Sequence, residues 1–342
     1  MLAEGFERYS EFQQHKALIT FSSRIHSIRG YIAIHRASAR VPSFGATRIH
    51  SYKDDNDAIN DALRLAKLMS YKSAMAELPY GGAKAVITQI DKSKEAFRDY
   101  GSIVDTLRGL FVTGADVGVS VDDVKQMRRS SNYIVGTTSN PVRYTVEGVC
   151  IALDETIHEV GARKNELTIA IQGIGATGSG ILESIHPHVK KIYITDVDEK
   201  KLTKYKGFDN VEIVSSDSLL CLPVDVLMPC ALAHSINKKT IKSLQTKMIV
   251  GSANNQLESE EMAFILHKKN ILYAPDYVVN AGGLIAVTDE YVHSNHRIRR
   301  IQKKLNVISR NMQKIFRRSK QYDLPTAVVA NRIAEKRFND IQ

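Results

Sequence analysis

Cysteine is scarce: the chain of 342 residues has only Cys150, Cys221 and Cys230. An odd count cannot close into a full disulfide framework, and the spacing is not that of a metal-ligand set. Reduced, buried thiols and no metal are expected. No apolar run approaches the roughly 18 residues that a membrane-spanning helix needs. The opening stretch MLAEGFERYSEFQQHKALI is acidic and polar where a secretory signal would be basic and then apolar, so a cytoplasmic protein is expected. One further absence is local. Between Arg297 and Lys320 there is no Asp or Glu against ten Lys or Arg, which equals the whole net charge of +10. Its apolar residues Ile298, Ile301, Leu305, Ile308, Met312 and Ile315 recur every three or four positions, the period of an amphipathic helix. Aromatic residues do not alternate with its charges. The segment therefore reads as a helix with a solvated basic face rather than a nucleic-acid surface.

What is present is ordinary globular material, 43% apolar and 25% charged, in a chain long enough for two domains. Short strand-like runs (18–23, 31–35, 46–50) precede a helix capped by Asp54 or Asp55, with Ala58, Ile59, Ala62, Leu63, Ala66 and Met69 on one side. That helix ends near Lys72. Pro79 stops it, Gly81-Gly82 reads as a turn, and Lys84 opens the strand-like run AKAVIT. A second helix, 94–110, precedes Asp116 in VTGADVG. A desolvated lysine amine loses its proton more readily, and a nearby carboxylate can exchange protons with it. Lys72, Lys84 and Asp116 together suit acid/base work on a small substrate.

The run SNPVRYT (139–145) reads as a linker, because Asn-Pro punctuates the chain. After it come a helix at 148–160 and the strand TIAIQ at 168–172, which runs straight into Gly173-Ile-Gly175-Ala-Thr-Gly178 and a helical segment. Strand KIYIT then ends at Asp196, twenty-three residues past Gly173. Strand, glycines, helix and a following acid are the order of a dinucleotide-binding unit. Gly173 makes the tight turn, Gly175 lets the backbone approach a pyrophosphate, and Gly178 lets helix pack on strand. The free N–H groups of the helix start favour the phosphates. Asp196 can accept from both ribose hydroxyls, and its charge repels a 2′-phosphate, so NAD is expected over NADP. Further strands at 211–215, 224–229, 248–253 and 271–275 continue the sheet.

With both sites in view, the chain resembles the glutamate, leucine, phenylalanine and valine dehydrogenase family over residues 30–335. The resemblance rests on DALRLAKLMSYKSA (61–74), PYGGAK (79–84), TGADVG (113–118), PCAL (229–232), ANNQL (253–257) and YAPDYVVNAGG (273–283), and is nearest to the leucine/phenylalanine branch. It implies NAD-dependent, reversible oxidative deamination of an L-amino acid to a 2-oxo acid and ammonia in a homo-oligomer. It also implies residue roles. Lys72 would bind the substrate carboxylate, Lys84 would activate water, and Asp116 would move protons at the amine. Asn280 would orient the amino group. Phe44, Gly45, Gly114, Leu284 and Val287 would line the side-chain pocket. Thr145, Cys230, Ala231 and Asn254 would lie along the nicotinamide half of the cofactor, and Gly173, Gly175, Ala176, Thr177, Gly178 and Asp196 along its phosphates and ribose. The expected fold is α/β with two domains, an N-terminal α/β substrate domain and a doubly wound Rossmann dinucleotide-binding domain, with a cleft between them. The expected boundaries are 1–143 for catalysis and oligomerisation, 144–290 for NAD binding, and 291–342 for C-terminal helices closing back onto the cleft.

Departures from the family pattern bear on the substrate. Phe44 in PSFGATR stands where the family's glutamate enzymes carry a lysine for the distal carboxylate, which points to an apolar amino acid of the leucine, valine or phenylalanine type. PYGGAK is more like the glutamate branch. Ala115 and Ala286 stand where leucine-type enzymes have Glu and Asn, the 137–145 loop is short, and Arg143 lies near Thr145. A glutamate dehydrogenase and an impaired NAD-binding homologue with a sensing role are the alternatives.

Overall fold

The computed structural model describes residues 9–37, 41–231, 233–293 and 297–339, Asn339 by its backbone alone. Residues 1–8, at the start of MLAEGFERYSEFQQHKALI, and Leu232 of PCAL lie outside the described residues. The chain divides into two compact units, one formed by 1–140, 286–297 and 337–342, the other by 141–285 and 298–336.

In the first unit, strands β1 (Ala17–Ser23), β2 (Ile28–Ile34), β3 (Ser43–Phe44), β4 (Thr47–Ile49), β5 (Gly81–Gln89) and β6 (Phe111–Val112) form one sheet in the order β1-β2-β5-β3-β6, with β4 also on β5. Helices α1 (Asp55–Met75), α2 (Lys94–Thr106) and α3 (Val121–Arg128) complete it. Asp54 caps α1 by accepting the Asp57 N–H, which satisfies a donor that the helix itself leaves open. The central β5 is an apolar run because both of its faces are covered. Ala83, Ala85 and Ile87 pack among Phe97, Tyr100, Val104, Val124 and Met127. Val86 packs among Ala58, Ala62, Leu63 and Ala66 of α1. Side chains alternate along a strand, so Lys84 shares the Val86 face, the one α1 covers.

Gly81 and Gly82 form no turn. They are the first residues of β5, paired in parallel with Ser43 and Phe44. A Cβ on Gly82 would stand 2.0 Å from the Ser70 nitrogen, and one on Gly81 would stand 1.7 Å from the Arg36 carbonyl oxygen. The glycines are there because strand and helix backbones touch, not because the chain bends.

The second unit holds six strands, β7 (Thr168–Gln172), β8 (Lys191–Thr195), β9 (Val211–Ile213), β10 (Val224–Pro229), β11 (Thr246–Ile249) and β12 (Leu272–Tyr273). Every pair is parallel, in the order β12-β11-β10-β7-β8-β9. This is the doubly wound order with its switch point beside β7. Its helices are α4 (Pro141–Val160), α5 (Ala176–Ile185), α6 (Glu199–Leu202), α7 (Ser216–Leu219), α8 (Glu260–Lys268), α9 (Asp276–Val279), the start of α10 (Gly282–His293), α11 (Ile298–Tyr322) and most of α12 (Thr326–Asn339); α10 from Ala286 on and α12 from Arg337 on belong to the first unit. Two expectations are corrected here. The boundary between the units does fall within 139–145, between Asn140 and Pro141, but the stretch is not a free linker, because Pro141 opens α4, a position where its missing N–H costs nothing. Cys221 is exposed rather than buried, in the turn after α7.

The basic segment is helical as its period requires. Ile301, Leu305, Ile308, Met312, Ile315 and Phe316 of α11 are buried. Ser309 and Gln313 donate to Glu155 of α4, and Lys320 pairs with Glu159. No helix among the described residues is long and apolar enough to cross a membrane.

Candidate active site

Lys84 and Asp116 come together in the first unit, with Lys84 Nζ 2.7 Å from Asp116 Oδ2. The loop bearing Asp116 is held beside β3 and β4 by a backbone ladder. The N–H groups of Gly45, Thr47 and Ile49 donate to the carbonyls of Val112, Gly114 and Val117 at 2.9 Å each. The Lys84 side chain is 6% exposed and that of Asp116 17%. Burial pulls the Lys84 ammonium below the ordinary lysine range, against the upward pull of Asp116. For Asp116, burial alone would raise the carboxyl, yet the Lys84 and Arg48 cations hold it well below the carboxylate range. A buried amine with a weakened hold on its proton beside an ionised carboxylate has the chemistry to act as an acid/base pair. Lys72 lies half-buried in the last turn of α1, the helix whose backbone Gly82 touches at Ser70.

Phe44 is fully buried and meets two tyrosines that the sequence did not single out. Its ring centroid lies 4.6 Å from that of Tyr80 and 5.3 Å from that of Tyr291, the latter edge-on at 89°. Gly45 and Gly114 are buried beside this wall's strands, where a Cβ would meet the carbonyls of Ala83 and Val135. Val287 is half-buried in the first unit's part of α10, and Leu284 is buried in the second unit's part.

In the second unit the glycine loop has the geometry that a pyrophosphate requires. Gly173 takes φ +97°, and a Cβ there would collide with Ala231. A Cβ on Gly178 would stand 2.0 Å from the Gly173 carbonyl oxygen and 3.4 Å from Cys230 Cβ. Gly175 has open space around it, and as the N-cap of α5 it offers no side chain to the helix's first amides. Ala176 and Thr177 open that helix, so uncapped N–H groups face an open approach. Asp196 accepts the Ile174 N–H at 2.7 Å and the Asp198 N–H at 2.9 Å. Beyond it lies a cavity of about 590 Å³, lined by Val197, Leu202, Thr203, Val214, Ser215 and Ser216 among others. Its place at the ends of β8 and β9 suits an adenosine.

Asn254 and Asn280 also come together. Asn280 Nδ2 donates to Asn254 Oδ1 at 2.9 Å and to the Ser252 carbonyl at 3.1 Å. This leaves Asn280 Oδ1, buried, with no partner among the described residues. Such an acceptor is costly unless a ligand donates to it. Thr145, on α4, donates its hydroxyl to the Pro141 carbonyl, and Gly283 packs against it. Both features fit a dinucleotide and an amine-bearing substrate.

Residues the sequence reading missed are Arg48, Asp61 and Tyr52 behind Asp116, together with Tyr80, Tyr291 and the adenosine-sized cavity. Position after a strand's last residue could have pointed to Val197 and Val214. Nothing in local sequence marks Arg48.

Comparison with known proteins agrees with this geometry. Residues 11–140 match the family Glu/Leu/Phe/Val dehydrogenase, dimerisation domain, and residues 188–341 match Glutamate/Leucine/Phenylalanine/Valine dehydrogenase. The chain is 36% identical over 334 residues to the L-tryptophan dehydrogenase of Nostoc punctiforme, covering 95% of this chain and 94% of that one. The crystal structure of that enzyme superposes with a TM-score of 0.83 over 98% of this chain and 99% of the other. The phenylalanine dehydrogenase of Lysinibacillus sphaericus is 35% identical, covering 96% and 90%. The leucine dehydrogenase of Geobacillus stearothermophilus is 33% identical, covering 98% and 94%. The chain belongs to the glutamate/leucine/phenylalanine/valine dehydrogenase family and is an amino-acid dehydrogenase acting on the CH–NH2 group with NAD.

Proposed function

We propose that the protein catalyses the reversible oxidative deamination of an apolar L-amino acid, of the leucine, valine or phenylalanine type, to the 2-oxo acid and ammonia. The observation that carries this reading is Phe44, fully buried between Tyr80 and Tyr291. A glutamate side chain would place a carboxylate against that wall with no counter-ion, a costly burial. Phe44, Gly45, Gly114, Leu284 and Val287 receive the substrate side chain in this reading.

Lys72 binds the α-carboxylate as a point charge. Asn280 Oδ1 accepts from the amino group and aligns it. Asp116 takes a proton from the nitrogen, and Lys84, as the neutral amine that burial favours, draws the proton from the water that attacks Cα and becomes the ammonium. NAD, when bound, supplies the acceptor for the hydride of Cα. Gly173, Gly175, Ala176, Thr177 and Gly178 hold its pyrophosphate, Asp196 its ribose, and Thr145, Cys230, Ala231 and Asn254 its nicotinamide half. The Asp196 charge favours NAD over NADP.

The match of residues 11–140 to a dimerisation domain supports assembly into a homo-oligomer through the first unit. A cytoplasmic setting and no nucleic-acid partner complete the proposal. The test is NADH formation at alkaline pH with a panel of L-amino acids, comparing wild type with Lys84→Ala and Asp116→Ala. Turnover of apolar amino acids that both variants abolish is the expected result. Preferred turnover of glutamate would overturn the substrate assignment, and full activity in either variant would overturn the mechanism.

A further inference from the structure

Asp116 has a second cation that the acid/base pair does not account for. Arg48, from β4, donates Nε to Asp116 Oδ2 at 2.8 Å, the same oxygen that Lys84 holds from β5. Its Nη1 donates to Asp61 Oδ2 on α1 at 3.0 Å. Asp61 is held in turn by the Tyr52 hydroxyl at 2.7 Å and by Arg64. The Arg48 side chain is 19% exposed and that of Asp61 14%, so the fork is fixed and largely shielded. Asp116 Oδ1 has no hydrogen-bond partner among the described residues.

The two cations differ in kind. Lys84 can give up its proton when buried, whereas a guanidinium stays charged throughout. If Lys84 were the sole partner, Asp116 would lose its counter-charge whenever Lys84 became neutral, and a buried carboxylate left so would take up a proton. Arg48 removes that dependence, and Asp61 balances the charge Arg48 adds. The fork also turns Asp116, committing Oδ2 to the protein and leaving Oδ1 for the substrate nitrogen.

We propose that Arg48 is a positioning residue, which holds Asp116 aimed through Oδ1 and ionised until it takes the substrate's proton, whatever the charge on Lys84 at that moment. The inference rests on the roles proposed for Lys84 and Asp116. The groups facing Asp116 are Lys84 from β5 and Arg48 from β4, with Asp61 and Arg64 of α1 and Tyr52 behind Arg48.

The experiment compares wild type, Lys84→Ala, Arg48→Gln and Arg48→Lys by kcat, KM and the pH profile of amino-acid oxidation, with melting temperature as the check on folding. Arg48→Gln is expected to lower kcat about 10- to 100-fold, the scale of a misplaced catalytic group, with the KM for NAD within about 2-fold. Arg48 lowers both Asp116 and Lys84, so loss of the fixed cation raises both and the acidic limb of the profile moves to higher pH. Arg48→Lys restores that limb but not kcat, because a single ammonium cannot span Asp116 and Asp61. A folded Arg48→Gln protein with wild-type kcat and acidic limb overturns the inference. Where Arg48→Gln does not fold, full kcat in Arg48→Lys overturns it equally. Wild-type activity in Lys84→Ala would instead sink the underlying assignment.

Discussion

Ser139 gives Glu290 both of its protons: the backbone N–H at 2.9 Å and the hydroxyl at 2.5 Å reach the same oxygen, Oε2, across 151 residues of sequence. Gly136 adds its N–H to that oxygen, and Thr137 its N–H and hydroxyl to Oε1, all at 3.1 Å. Successive amides around one anion form a nest, here filled by the protein's own carboxylate.

Glu290→Gln should therefore destabilise the fold. The amide keeps one acceptor and turns an NH2 group toward donors, and each buried donor left unpaired costs about 1–3 kcal/mol. Burial alone would raise the Glu290 carboxyl, but the Ser139 and Thr137 donors outweigh it and hold it lowered. A depressed folded value means stability that is present above the ordinary 4.5 and lost as pH falls through the folded value. Urea unfolding across acid pH should show that loss in wild type and a shallower one in Glu290→Gln. Equal midpoints for the two proteins at neutral pH would disprove the role.

Phe44→Ala opens the aromatic wall. Truncating a fully buried phenylalanine costs about 3–5 kcal/mol of stability, and Tyr80 and Tyr291 lose the ring they pack on. The expected kinetic result is a rise in KM for apolar amino acids, with the KM for NAD unchanged. An unchanged preference across the amino-acid panel would place the specificity elsewhere.

Two glycines of one loop should fail in different ways. Gly175→Ala meets open space, so the protein folds with a near-native melting temperature while its affinity for NAD falls, since the methyl occupies the phosphate approach. Gly178→Ala sets a methyl 2.0 Å from a carbonyl oxygen and lowers the melting temperature itself. Titration calorimetry and thermal unfolding separate the two; undiminished NAD affinity in Gly175→Ala would refute the assignment of the loop.

His15 and His35, with ring centroids 4.8 Å apart, set an acid limit. His15 accepts the Gln13 N–H at Nδ1 and donates Nε2–H to the Leu63 carbonyl, the arrangement of a neutral ring. Burial lowers His15 to about 4 and His35 to about 3. The unfolded chain protonates both below 6.5 while the folded chain does not, so stability falls from pH 6.5 down to those folded values and is unaffected above. His35 Nδ1 has no partner among the described residues, so His35→Phe gives up only the ring's contact with the Gln13 backbone and should flatten the decline. An identical acid slope in that variant would show that the ring titrates normally.

Much of the second unit was legible because its signals are local. TIAIQ, KIYIT and VDVLMP are strands over the residues their composition marks, and the glycine fingerprint sits between strand and helix as its spacing requires. Elsewhere the same signals misled. Gly81-Gly82 after Pro79 reads as a turn because nothing local records that α1 lies against the strand, and Asn-Pro reads as a break although Pro141 starts a helix. Arg48 was illegible for a different reason. A charged residue in a strand reads as solvent-facing, and its two carboxylates come from 13 and 68 residues away.

The amide pair of Asn254 and Asn280 carries no proton that titrates between acid and base. In the role proposed for it, Asn280 Oδ1 would accept N–H groups from an ammonium, an iminium or departing ammonia, more strongly from the two cations than from neutral ammonia. Neither side chain titrates, so the pair adds no ionisation of its own to a pH-rate profile.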